Sequence, residues 1–149
     1  MTMVSRSALV PYSSEVMFAL VEDVDSYHWF LPWCKESRVL RRDEDCVRAM
    51  IVVSMGGLVK SFTTQNRLHP SEMIEIRLVE GPFRRLNGFW GFQGLSGDAC
   101  KVTLDLEFEL AGRLLGIAFA RVFHQIANSL VDSFVRRADE LYGATDAAY

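Results

Sequence analysis

The sequence predicts an α+β fold, in which a strongly curved antiparallel sheet of about seven strands lies against one long C-terminal helix. Three observations carry this. Between residues 39 and 110 apolar and polar side chains alternate with period two, in runs separated by turn residues. After Gly112 the period becomes 3.6 and holds as far as Tyr142. No repeat, low-complexity tract or linker interrupts the 149 residues, so a single domain spans 1–149.

Residues 4–10 form a short strand that stops at Pro11. Ser13 or Ser14 is placed to cap a helix entered at Glu15, with Val16, Met17, Leu20 and Val21 at helical spacing. Asp25-Ser26 opens a second short helix, which Pro32 must end. Two short helices therefore separate the first strand from the second. Residues 39–42 and 46–55 are the next strands. The latter puts Val47, Ala49, Ile51 and Val53 on one face and ends in a Gly56-Gly57 turn. Residues 60–68 follow and break at His69-Pro70. In 73–79, Ile74, Ile76 and Leu78 alternate with Glu75 and Arg77 until Gly81-Pro82. Residues 85–95 carry Leu86, Trp90 and Phe92 on one face. The most regular strand sets Val102, Leu104, Leu106, Phe108 and Leu110 against Thr103, Asp105, Glu107 and Glu109, one face apolar and one wet. The helical stripe comprises Leu115, Phe119, Val122, Phe123, Ile126, Leu130, Phe134, Ala138 and Leu141. Its span corresponds to a helix of about 45 Å, with Gly143 as the candidate C-cap.

Half of the residues are hydrophobic, including ten Phe, three Trp and four Tyr, which excludes a disordered chain. The net charge is −3, and the basic residues cluster only as the pairs Arg41-Arg42, Arg84-Arg85 and Arg136-Arg137. No DNA partner is expected from such scattered cations. Cys34, Cys46 and Cys100 lack metal-ligand or disulfide spacing and read as reduced thiols. The N-terminal residues have neither an apolar signal core nor an Arg-rich presequence, and no run reaches the ~18 apolar residues of a membrane span. A cytoplasmic chain is expected, with room for peripheral contact at the inner face of a membrane.

A curved sheet and a straight helix cannot mate along their whole length, so the gap between them takes side chains or a guest. Small residues (Ala49, Gly88, and Ala118 or Ala127) can leave room there. Phe62, Trp90, Phe92, Phe119 and Phe123 can wall it. Every one of these side chains also suits an ordinary core. The segment 27–33, with Tyr27, Trp29, Phe30 and Trp33 around Pro32, is either a plug for the end of the core, a lid on the gap, or an aromatic contact for a membrane interface.

The blocks Phe30-Leu31-Pro32-Trp33-Cys34, Phe62-Thr63-Thr64-Gln65-Asn66, Leu78-Val79-Glu80-Gly81-Pro82-Phe83, Leu86-Asn87-Gly88-Phe89-Trp90-Gly91-Phe92 and Ala127-Asn128-Ser129-Leu130-Val131-Asp132-Ser133-Phe134 resemble the coenzyme Q-binding START-domain family. That family, in the polyketide cyclase/dehydrase superfamily, also contains ribosome-association toxins. The resemblance extends over residues 12–143, with His28 and Gly94 standing where proline is usual. It implies a helix-grip (START/SRPBCC-like) fold around a hydrophobic tunnel. The implied function is binding ubiquinone or another isoprenoid lipid, as a carrier in support of respiration and with no catalytic cofactor. The other family name implies binding to the large ribosomal subunit and blocking of subunit association. Tyr27, Phe30, Trp33, Phe62, Leu78, Phe83, Trp90, Phe92, Phe119, Phe123 and Asn128 are the candidate ligand contacts.

A quinone needs apolar contact area plus one or two hydrogen-bond donors, and Tyr27, Lys60, Gln65, Asn66 and Asn128 are the candidates. No catalytic residues are assigned. His28, His69 and His124 lie far apart with no acid motif beside them, and no GxSxG, HExxH, P-loop or GxGxxG occurs. A polyketide-cyclase-like reaction, which the fold also allows, has the least support.

Overall fold

The computed structural model describes residues 2–112 and 114–143, without the side chains of 114–116. Its first strand, β1 (Thr2–Val10), leads into α1 (Ser14–Glu22). Ser13 caps that helix, its hydroxyl accepting from the Val16 N–H at 3.2 Å. A 3-10 turn (Val24–Ser26) runs directly into α2 (Tyr27–Phe30), which ends just ahead of Pro32. Six strands then follow as a meander: β2 (Cys34–Arg42), β3 (Cys46–Met55), β4 (Leu58–His69), β5 (Met73–Glu80), β6 (Phe83–Gly94) and β7 (Cys100–Leu110). The chain finishes in α3 (Leu114–Ala138) and a π-helical turn (Asp139–Gly143).

All seven strands form one antiparallel sheet in the order β1-β7-β6-β5-β4-β3-β2. The expected α+β architecture is therefore present. The β3–β4 connection is a tight turn in which Gly56 and Gly57 both have positive φ, 58° and 83°, as a hairpin matched to strand twist requires. Only β1 breaks sequential pairing, joining β7 at the far edge. The helical segment between β1 and β2 consequently crosses from one sheet edge to the other. One face of the sheet, carrying Val47, Ala49, Val53, Ile74, Leu86, Trp90, Val102, Leu104 and Phe108, buries against Phe119, Phe123, Ile126, Val131 and Phe134 of α3.

Several expectations need correction. The second strand begins at Cys34, five residues before the alternation becomes legible. Register shifts between Cys34 and Glu36 and between Val39 and Arg41 disrupt the period there. Ala118 is exposed and leaves no room inside. The stripe ends at Ala138, because the wider π turn swings Leu141 out to 43% exposure. Gly143 belongs to that turn and is not a left-handed cap. Leu115 lies outside the described side chains.

Candidate functional site

Inward-facing side chains of the sheet and the apolar face of α3 leave a small apolar cavity of about 80 Å³, partly open to the surface. Strands contribute Ile51, Phe62, Thr64, Asn66, Ile74, Ile76, Leu86, Trp90 and Leu106, while α3 contributes Phe123, Ile126, Leu130 and Phe134. Val21, Val24, Tyr27 and Trp33 close it from the segment between β1 and β2. Strand alternation explains the membership: residues 62, 64 and 66, or 74 and 76, share one face.

Of the candidate contacts, Tyr27, Trp33, Phe62, Trp90 and Phe123 line this cavity. Others stand behind them. Phe83 sits edge-on to Phe62 and Phe123, with centroids 5.5 and 4.9 Å apart, and Phe119 packs on Phe83 at 5.9 Å. Phe92 stacks along Trp90 at 6.5 Å. Phe30 lies outside, edge-on to Phe134 at 5.3 Å and covered by the Arg137 guanidinium at 5.1 Å. Leu78 is half-buried away from the cavity. Asn128 is also away from it, its amide 3.2 Å from the His124 ring on α3.

The polar groups sort equally clearly. Tyr27 donates its hydroxyl to the Val21 carbonyl, and burial, reinforced by Asp23, pushes its phenol far above the ordinary value. Thr64 donates to the Asn66 side-chain oxygen at 3.0 Å inside the cavity wall. Gln65, one residue away, faces outward and accepts from Arg48 at 3.1 Å. Trp33 is 6% exposed, and its indole N–H is buried with no acceptor, the single such side-chain group among the described residues. None of the aromatic or aliphatic patterns in the sequence marks that orphan donor.

A groove of about 300 Å³ runs beside α3, between Phe30, Pro32, Trp33 and Met55 on one side and Gln125, Ile126, Ser129, Asp132, Ser133, Arg136, Arg137 and Glu140 on the other. It shares Trp33 and Ile126 with the apolar cavity. In the 27–33 segment, Tyr27, Leu31 and Trp33 are buried while Trp29 is 68% exposed, so the segment both plugs the core and presents an aromatic to the surroundings. A further concavity, about 600 Å³, lies on the outer sheet face among Arg67, Glu75, Arg77, Asn87 and Phe89. It is polar and of mixed charge, with Glu75 held by His69 at 2.8 Å and its carboxyl thereby lowered below the ordinary range. It therefore does not suit an apolar guest.

The three histidines do not converge. His28 faces Ser37, His69 faces Glu75 and His124 faces Asn128, in three separate regions. Among the described residues no cluster of three or more His, Cys, Asp or Glu is placed to hold a metal.

The sequence profile described as polyketide cyclase/dehydrase and lipid transport matches residues 10–135. The chain belongs to that family. Its curated relatives include ribosome association toxin RatA of Pseudomonas aeruginosa, 47% identical and covering 95% of this chain and 99% of that one. Persistence and stress-resistance toxin PasT of Escherichia coli is 46% identical, covering 97% and 91%. The mitochondrial coenzyme Q-binding protein COQ10 homolog B of Xenopus laevis is 29% identical, covering 93% of this chain and 59% of that protein. Among solved structures, an 18 kDa protein of Caulobacter crescentus is 33% identical with a TM-score of 0.73, covering 96% and 99%. A START superfamily protein of Mycobacterium smegmatis, 22% identical with a TM-score of 0.77 over 93% and 98%, shares the fold. The family's helix-grip architecture is thus present here. The relatives named for ribosome association are much more similar to this chain than those named for coenzyme Q, the reverse of the emphasis expected from the resemblance.

Proposed function

We propose that this chain is a ribosome-association factor of the toxin type, which binds the large ribosomal subunit and opposes its joining to the small one. The observation that carries the reading is the 47% identity to a ribosome association toxin over 95% of this chain and 99% of that relative. A mode of action by binding also agrees with histidines that sit in three unconnected places. Sedimentation of the tagged chain with ribosomes through a sucrose gradient tests it. The expected result is co-migration with the large subunit and a smaller joined-ribosome peak. Absence from every ribosomal fraction at low salt would overturn it.

A separate observation favours a second property, the binding of an apolar ligand in the same domain. The sheet and α3 bound an apolar space that Trp33 lines, and the Trp33 indole N–H is buried with no acceptor. The coenzyme Q-binding relatives suggest the chemical class, a prenylated quinone such as ubiquinone, held as cargo. At about 80 Å³ this space is smaller than the ~300–1,000 Å³ of small-molecule sites, so a guest requires side chains to move. The exposed Trp29 indole, in the same short segment as the cavity-lining Trp33, supports pickup from a lipid interface. Mass spectrometry of an organic extract of the purified chain is the test. Recovery of a stoichiometric quinone is expected, and failure to recover or titrate one counts against this property alone.

A further inference from the structure

We infer that the outer face of the sheet, where β4, β5 and β6 lie side by side, is a contact surface for single-stranded RNA of the large ribosomal subunit. Arg67 and Arg77 take phosphates there, and the Phe89 ring takes an unpaired base. This rests on the ribosome-binding reading proposed above, and names the chemistry of the partner and the face that meets it.

Strand register assembles the surface. Arg48, Gln65, Arg77 and Asn87 are paired in one row across β3, β4, β5 and β6, and Arg67, Glu75 and Phe89 form the neighbouring row. With strands ~4.8 Å apart, the first row spans about 14 Å. Alternation turns these exposed side chains away from α3, and Gln65, Arg67, Arg77, Asn87 and Phe89 line the concavity of about 600 Å³.

Three features fit RNA. Among the described residues neither Arg67 nor Arg77 makes an ion pair or a side-chain hydrogen bond, so both guanidinium forks can meet phosphate oxygens. Glu75, between them, is bound instead to the His69 ring at 2.8 Å. Phe89 is 36% exposed and meets no other ring among the described residues. It lies beside Gly91, where a Cβ would come 3.7 Å from its Cε2, so an aromatic surface is left for a base to stack on. The carboxamides of Gln65 and Asn87 flank Arg77 and can bond to base edges. Gln65 gives its oxygen to Arg48 at 3.1 Å and keeps its amide N–H groups to donate. An acidic peptide would engage the arginines but leave the ring and the carboxamides unused.

Carboxylates set the course of the strand. Asp105 and Glu107 of β7 stand opposite Phe89 and Asn87, and Asp45 lines the other end of the concavity. They repel a second phosphate chain, so the surface takes one strand, its backbone over β4 and β5 and its base turned toward β6.

Binding of the full chain to purified large subunits, followed from about 50 to 200 mM KCl, tests this. Arg67→Gln combined with Arg77→Gln removes two phosphate contacts. It should weaken binding about ten-fold or more at low salt and flatten the slope of log affinity against log salt by roughly 1.4. Phe89→Ala should weaken binding by about ten-fold with the slope unchanged, whereas Phe89→Tyr keeps the ring and the affinity. Both arginines are exposed, which keeps the test valid if Phe89→Ala folds poorly. Arg121→Gln combined with Arg136→Gln makes the same charge change on α3 and leaves affinity and slope at wild type. Ultraviolet crosslinking should join the chain to ribosomal RNA, and crosslinks to ribosomal proteins alone would overturn the RNA partner. Wild-type affinity and slope in the folded sheet variants overturns this surface while leaving the ribosome-binding reading standing. A wild-type chain that binds no subunit overturns both.

Discussion

At Gly88, β6 comes so close to β7 that a Cβ built there would lie 2.0 Å from the Asp105 carbonyl oxygen and 2.9 Å from the Leu106 Cα. In sequence this glycine reads as space left for a guest, but the neighbouring strand occupies that space. Gly88→Ala must push two paired strands apart, at a cost of about 3 kcal/mol, and thermal unfolding should show a Tm lower by roughly 6–12 °C. Two thiols give a second prediction. Burial pushes Cys34 above the ordinary 9.0, against hydrogen bonds with Ser37 and the Glu36 carbonyl that act the other way. Burial does the same at Cys100, with Glu15 adding to it. A thiol with a raised folded pKa contributes stability that is complete below its unfolded value of 9.0 and lost as pH rises through the folded value. Urea midpoints should therefore hold from neutral pH to about 8 and fall by pH ~10.5, Tyr27 acting in the same direction. An unchanged midpoint at the alkaline end would contradict this. Single residues were also where the sequence was least legible. Asn66 and Gln65 are adjacent amides, and only cross-strand register assigns one to the cavity and the other to Arg48.

Elements were more legible than residues wherever one periodicity ran undisturbed. The β3 bounds, Cys46–Met55, and the alternation of β7 follow from the sequence because one face of each strand is buried and turn residues end it. The start of β2 was hidden by its register shifts, and the end of the α3 stripe by a change from α to π geometry that no residue type announces. Much of the cavity wall, including Ile51, Ile74, Leu86, Leu106 and Leu130, was hidden for a different reason. Aliphatic side chains look the same in sequence whether they touch each other or border a void. Phe134 shows how tightly α3 is held. It is fully buried and meets Tyr27, Phe30 and Trp90 edge-on at 5.2, 5.3 and 5.3 Å. Phe134→Ala removes all three contacts and should cost about 4 kcal/mol, lowering Tm by roughly 8–16 °C in a scan of the otherwise native chain. A drop of only a degree or two would mean that α2 and the sheet re-close over the gap.

Over the whole molecule, the curved sheet leaves an open side between its edge strands β1 and β2, and the helices fill that side. The core is largely covered by α3 together with the segment that crosses from β1 to β2, so a guest larger than the pocket must displace some of those side chains. Its apparent affinity is then its intrinsic affinity scaled by the fraction of molecules in the open form. Stability and binding are consequently opposed at side chains such as Trp33 and Ile126, which line both the pocket and the groove. Ile126, 2% exposed, contributes to that cover and to both spaces. Ile126→Ala should lower the stability of the unliganded chain by about 3 kcal/mol through lost burial. The same substitution removes material that the guest would otherwise have to displace, so binding should tighten. Thermal unfolding with and without decylubiquinone separates the two effects. At a ligand concentration near 100 times Kd, binding to the native state adds about 2.7 kcal/mol, or roughly 5–11 °C. The variant should begin from a lower Tm yet gain more than wild type at equal ligand concentration. A smaller gain would mean that Ile126 is part of the contact surface for the guest and not a barrier to it.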